Sequence, residues 1–162
     1  MENLRVKGYN DTVLFISESP CEKGIDLGII VDRSRSVRKS NFIVVKNDLK
    51  TFLDNFDISE NGTHVSLILF ADKASLLFNL SDSHFFSNQA VKSRIDGIKD
   101  KLYPGTRTDL ALMKAHDEMF QWLHVRRKRS QVLVIFTDGN TADASAPFSE
   151  TVPPLEVGSS LV

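Results

Sequence analysis

The stretch Asp26-Leu27-Gly28-Ile29-Ile30-Val31-Asp32-Arg33-Ser34-Arg35-Ser36-Val37 decides how this chain is read. Its apolar half, Leu27 to Val31, runs without alternation, the pattern of a strand covered on both faces. Its polar half, Asp32-x-Ser34-x-Ser36, starts where that strand stops. In open α/β sheets, ligands gather at the carboxyl ends of strands, so the residues just past the strand matter more than the strand itself. In a chain with 14 Asp and 17 Ser, composition alone yields about 0.15 matches to Asp-x-Ser-x-Ser. The motif is weak alone; its setting at a strand end gives it meaning.

Working outward, two more apolar runs read as buried strands, Val65 to Ala71 and Val132 to Phe136. A shorter one, Ser75 to Leu80, is close enough to pair with the first as a hairpin through Asp72-Lys73-Ala74. Residues 39–57 place Phe42, Val45, Leu49, Phe52, Leu53 and Phe56 near one helical face. Residues 88–102 do the same with Val91, Ile95, Ile98 and Leu102, and Tyr103-Pro104-Gly105 ends the pattern. Residues 108–123 form a third helix, with Leu110, Met113 and Phe120 expected inward. Buried strands alternating with amphipathic helices predict an α/β fold. The expectation is a Rossmann-like, doubly wound, mostly parallel sheet with one antiparallel edge strand and helices on both faces. Residues 1–24, polar apart from Val13 to Ile16, read as a lead-in segment, and 25–162 as the domain.

Composition bounds the function. Hydrophobic residues are 41% and charged residues 25% of a 162-residue chain, which suits one ordered domain. Lys+Arg of 20 against Asp+Glu of 21 leaves a net charge of −1, no global pull toward nucleic acid. No apolar run approaches the roughly 20 residues of a membrane helix. A lone Cys21 excludes a thiolate metal cluster and an internal disulfide. His64, His84, His116 and His124 are scattered. No nucleophile–base pair or oxyanion hole is visible, so catalysis is not expected. Three sequons, Asn10-Asp11-Thr12, Asn61-Gly62-Thr63 and Asn79-Leu80-Ser81, compare with about 1.4 expected from composition, a mild lean toward secretion. The basic run Arg126-Arg127-Lys128-Arg129 reads as a solvated turn entering the next strand.

Three loops carry the chemistry: Asp32-Arg33-Ser34-Arg35-Ser36 and Thr137-Asp138-Gly139, just after strands, and Gly105-Thr106-Arg107-Thr108-Asp109, before the third helix. Carboxylates and hydroxyls converging there are hard oxygen ligands, suited to Mg²⁺, Mn²⁺ or Ca²⁺ rather than zinc. Two acids, acting partly through water, and several neutral hydroxyls leave a divalent cation under-neutralised and short of a ligand, so it attracts an outside carboxylate. The alternative is a capping or turn role for Ser34, Ser36, Thr106 and Asp138.

In that order and spacing, "DLGIIVDRSRSV…NF", "PGTRTDLAL" and "VLVIFTDG" resemble the von Willebrand factor type A domain, also called the integrin I domain. The resemblance covers about residues 25–162. It implies a metal-ion-dependent adhesion site formed by Asp32, Ser34, Ser36, Thr106 and Asp138, with Thr108 the second choice for the loop ligand. It implies a non-enzymatic, Mg²⁺-dependent module that captures an acidic side chain of a protein ligand, in adhesion or matrix assembly outside the cell. Arg35 stands where the family commonly has Gly; matrilin-like matrix domains, which the chain resembles here, also carry Arg. Arg33, Arg35, Arg38, Lys39 and Arg107 then crowd one rim and favour an acidic partner. The family's six strands run 3-2-1-4-5-6. Four are visible here, so the last strands and the C-terminal helix are expected to be missing, a fifth strand would begin near Ser160-Leu161-Val162, and Val132–Phe136 would be an exposed edge. The resemblance also implies that Cys21 pairs with a cysteine beyond this chain, within a longer secreted protein. Three rivals remain: an intracellular scaffold module of the same fold, a metal-dependent hydrolase, and a matrix domain that binds no metal.

Overall fold

The computed structural model describes residues 5–9, 12–16, 24–121, 126 and 129–138, the first two segments as backbone. Asn10, Cys21, Trp122, His124, Arg127, Lys128 and the expected strand start near Ser160 lie outside these residues.

Among the described residues six strands form one sheet. They are β1 (Arg5–Tyr9), β2 (Thr12–Ile16), β3 (Asp26–Asp32), β4 (His64–Phe70), β5 (Ala74–Phe78) and β6 (Gln131–Phe136), in the order β1-β2-β6-β3-β4-β5. The central strands β6, β3 and β4 are parallel, and β5 closes one edge antiparallel to β4. From that edge inward the order β5-β4-β3-β6 matches the first four of the family's strands as expected. The other edge differs. Thr12–Ile16 pairs antiparallel with β6, and β1 pairs antiparallel with β2. So β6 is not the exposed edge expected from four strands: its outer backbone groups bond to the N-terminal hairpin. That hairpin lies in the segment read as a lead-in.

The central strands bury both faces through strict alternation. Leu27, Ile29 and Val31 of β3, Val65, Leu67 and Leu69 of β4 and Val134 of β6 join one apolar cluster. Ile30, Ile68, Phe70 and Ile135, the residues between, join the other. Helix α1 (Lys39–Leu53) covers the first face with Phe42, Leu49 and Leu53. Helix α2 (Asn88–Asp96) adds Val91 and Ile95, and its Ser87 hydroxyl accepts from Ala90 N at 3.2 Å as an N-cap. Each such Leu, Ile or Phe contributes about 1.5–3 kcal/mol of burial. α2 stops earlier than the apolar spacing predicts, at Gly97, where the last-turn carbonyls meet the Gly97 N–H. Ile98 still packs inward from the following turn.

Helix α3 (Thr108–Lys114) continues as a π-helical turn, Ala115–Met119, on the second face. Its inward residues are Ala111, Ala115 and Met119, whereas Met113 is 42% exposed and Leu110 half-buried. The helix therefore lies closer to the sheet than large inward side chains permit. Gly28 explains the fit, because a Cβ there would stand 2.3 Å from Met119 Sδ and 2.5 Å from Phe120 Cζ.

At the amino ends of the parallel strands, Arg126 is not a solvated turn residue. It donates from N and Nε to both oxygens of fully buried Asp26, each at 2.7 Å. Its Nη1 and Nη2 bond Gly62 O at 2.7 Å and Ile25 O at 2.9 Å. Arg129 donates to Asn61 O at 2.9 Å. His116, expected at the surface, is exposed and bonded to Asp117 at 2.8 Å.

Candidate metal centre

Parallel pairing places the loops after β3 and β6 at one edge, and backbone hydrogen bonds bring the loop before α3 to them. Val31 is opposite Phe136 and Asp32 opposite Phe70, so the chain leaving β3, β4 and β6 emerges side by side. The loops are then fastened. Arg33 N donates to Phe70 O at 2.8 Å, Tyr103 N to Arg33 O at 3.1 Å and Arg35 N to Tyr103 O at 2.9 Å. Arg107 N reaches Ala71 O at 2.7 Å. Gly105, at φ +78°, makes that approach; a Cβ there would lie 3.1 Å from Asp72 Cα.

Asp32 sits at the centre, 1% exposed. Its Oδ1 accepts from Ser34 N at 2.7 Å, and its Oδ2 accepts from the Thr137 hydroxyl at 2.9 Å. The Ser34 and Ser36 hydroxyls are hydrogen-bonded to each other at 2.7 Å across the short 3-10 turn Arg35–Val37. Ser34 precedes that turn but makes no side-chain cap bond to it, so capping does not account for its hydroxyl. Asp32, Ser36, Thr137 and Asp138 line one groove of about 260 Å³ with Asn41, Val44, Val45, Asp48 and Phe136.

The structure thus gathers Asp32, Ser34, Ser36 and Asp138 through contacts or a shared groove. Thr106 is buried on the fastened loop, 7% exposed, and among the described residues no hydrogen bond joins it to the other four. Thr108, the second choice, has a buried hydroxyl with no hydrogen-bond partner among the described residues. Thr137 is not singled out by the sequence pattern, although it adjoins Asp138 and its hydroxyl holds Asp32.

Burial holds the Asp32 carboxyl above its ordinary value. Hydrogen bonds from Ser34 and Thr137 pull it down, and the charge on Asp138 pushes it up again. A hard cation in the groove would relieve both the burial of charge and the carboxylate repulsion. Among the described residues, no group of three or more His, Cys, Asp or Glu side chains could hold a metal. Any cation here relies on hydroxyls, and the donor set fits Mg²⁺, Mn²⁺ or Ca²⁺.

A parallel α/β sheet with Asp-x-Ser-x-Ser leaving its central strand, and Thr-Asp-Gly leaving the neighbouring one, defines a class of domain. The family model for the von Willebrand factor type A domain matches residues 26–155, and the chain belongs to that family. Matrilin-3 of Gallus gallus is 32% identical over 132 residues, 78% of this chain and 28% of that protein. Thrombospondin-related anonymous protein of Plasmodium berghei (strain Anka) is 32% identical over 126 residues, 76% of this chain and 21% of that protein. The chain thus spans well under a third of the length of these relatives. Among solved structures, proximal thread matrix protein 1 from the mussel byssus superposes with a TM-score of 0.66. That pair is 26% identical, over 78% of this chain and 32% of the other. A second structure of that protein, with a zinc-occupied adhesion motif, gives 0.58 at 27% identity, over 65% and 27% of the two chains.

Proposed function

We propose that this domain is a non-enzymatic protein-binding module of the extracellular matrix or cell surface, working through a divalent cation. Asp32, Ser34, Ser36, Thr106 and Asp138 would hold the ion, with Mg²⁺ the expected occupant and Mn²⁺ or Ca²⁺ compatible. The ion supplies an electrophilic point for a carboxylate oxygen of the partner. The chain's own residues do the rest. The Ser34 N–H and the Thr137 hydroxyl orient the Asp32 carboxylate, and the buried floor beneath it limits competition from water. Two carboxylates balance the ion's charge only formally; with neutral hydroxyls as its other ligands, it keeps a coordination position open for the oxygen of an acidic ligand.

One observation carries this reading: a buried, pKa-raised Asp32 shares a groove with Asp138 and the Ser36 hydroxyl. The matrilin relatives and the zinc-bearing neighbour support a divalent site and a matrix setting. No helix of the described residues is long and apolar enough to cross a membrane. The test is a thermal melt with and without Mg²⁺. At 100 times Kd the ion should add about 2.7 kcal/mol, or roughly 5–10 °C for a domain of this size. Asp138→Ala should abolish the shift. A wild-type protein whose melt ignores Mg²⁺, Mn²⁺ and Ca²⁺ alike would sink the proposal.

A further inference from the structure

Five cations were expected on the rim of the site, and the structure sorts them. Arg107 is spent internally, its guanidinium bonded to both oxygens of Asp109 at 2.8 and 2.5 Å. Arg33 is turned back, donating through Nη2 to Lys101 O at 2.7 Å and lying 4.6 Å over the Tyr103 ring. Arg35, Arg38 and Lys39 differ. All three are exposed, and no hydrogen bond or ion pair takes up their side chains among the described residues. Asp100 feels the charge of Lys39, but its carboxylate is taken by Lys46 at 2.6 Å. Arg35 stands between the two site serines. Arg38 follows Ser36 by two residues, so its Cα lies within about 7.6 Å of the Ser36 Cα.

Arg38 is also held at a cost. It has φ 62° and ψ 147°, and is the one non-glycine residue at positive φ among those described. That region is nearly reserved for glycine. Arg38 and Lys39 further open helix α1, whose first turn contains no acidic residue. Cations there oppose the helix dipole. Two unfavourable placements, with no direct counter-charge among the described residues, point to an anion from outside.

We infer that Arg35, Arg38 and Lys39 form a cationic flank that binds a second carboxylate of the ligand, beside the one taken by the metal. This rests on the metal-capture function proposed above. The ligand is an acidic polypeptide segment with two carboxylates a few residues apart. A guanidinium suits a carboxylate because two parallel N–H groups match its two oxygens. The lining of the groove argues for a polypeptide over a sulfated polysaccharide. It offers Val44, 54% exposed, and Phe136 for an apolar side chain, and its Asp48 repels a uniformly anionic polymer.

The test uses fluorescent 12-residue peptides carrying Glu-x-Glu or Glu-x-x-Glu, their single-Glu (Glu→Gln) counterparts, and heparin, with the full chain in Mg²⁺. The double-Glu peptides should bind at least tenfold more tightly than the single-Glu ones. Arg35→Ala with Arg38→Gly should erase that advantage while leaving the Mg²⁺ melting shift intact. Arg38→Lys, which keeps the charge but not the paired N–H groups, should retain only part of it. Arg38→Gly alone should raise the melting temperature by a few degrees as strain is released. An advantage unchanged in the Arg35→Ala, Arg38→Gly protein would overturn the inference. So would heparin binding that is stronger than peptide binding, indifferent to EDTA and lost in Arg38→Gly, since the flank would then serve a polysaccharide. If EDTA and Asp138→Ala leave peptide binding untouched while the double-Glu advantage persists, the metal reading falls and the flank stands.

Discussion

Removing Arg126 should unfold this domain more readily than removing any other surface cation. Asp26 is 0% exposed, and Arg126 supplies both of its hydrogen-bonded contacts while also covering Ile25 O and Gly62 O. In Arg126→Ala the carboxylate stays buried without its counter-charge, which costs about 3–5 kcal/mol. For a domain of this size that lowers the melting temperature by roughly 6–20 °C. Differential scanning calorimetry and urea unfolding should agree on the loss. Asp26→Asn with Arg126→Met removes both charges and should recover more than half of it. Asp26 and Asp32 are opposite ends of a seven-residue strand, about 20 Å apart, so the Mg²⁺ melting shift should survive in the single variant. A loss below about 1 kcal/mol, the size of an exposed ion pair, would refute the reasoning.

Three other outcomes are expected. Gly28→Ala should cost about 1–3 kcal/mol in urea unfolding, because the new Cβ collides with Met119 and Phe120; an unchanged midpoint would mean that the π-helical turn does not press on β3. In metal-free buffer, the raised Asp32 pKa favours the protonated folded form, so this residue's contribution to stability is lost as pH rises through that pKa. Asp32→Asn should therefore melt above wild type at pH 7.5 without metal and ignore added Mg²⁺; a lower melt would contradict the burial argument. Asp109 behaves oppositely: hydrogen bonds from Arg107 hold it below the ordinary 3.8, so its stability is present above that value and lost as pH falls below it. Asp109→Asn should flatten that acid branch in melts taken between about pH 5 and pH 2.

Much of this architecture is legible in the chain, for definable reasons. β3, β4 and β6 announce themselves because burial on both faces leaves no polar position in Leu27–Val31 or Val132–Phe136, and in Val65–Ala71 only Ser66, whose hydroxyl donates to Phe78 O. Two of the three site loops follow from the strands, since the parallel neighbours β3 and β6 end on the same edge, whereas the loop before α3 is brought there by its backbone bonds. α3 is harder: its packing face is Ala111, Ala115 and Met119, and two alanines give little hydrophobic signal beside Leu110 and Met113. The β1–β2 hairpin escapes because the strand it joins, β6, lies far along the chain, and Arg5-Val6-Lys7-Gly8-Tyr9 resembles any polar lead-in. The Asp26–Arg126 pair spans 100 positions with no local pattern to mark it. The strain at Arg38 is equally silent, because positive φ is read from glycine and the residue here is arginine. The placement of Asp32, Ser34, Ser36 and Asp138 at one edge was foreseeable, whereas the hydroxyl of Thr137 on Asp32 needed coordinates.

The pairing of β2 with β6 sets an order of events during synthesis. Thr12 meets Phe136 and Leu14 meets Val134, so β2 waits for a strand made far downstream of it. Residue 131 follows residue 16 by 115 positions, roughly 6–23 s at about 5–20 residues per second. Through that interval the hairpin has no sheet to join, and the flank of β3 that β6 will occupy stands open to other chains. A domain wired this way depends on dilution or chaperones while it is being made, and long-range closure sets its folding rate.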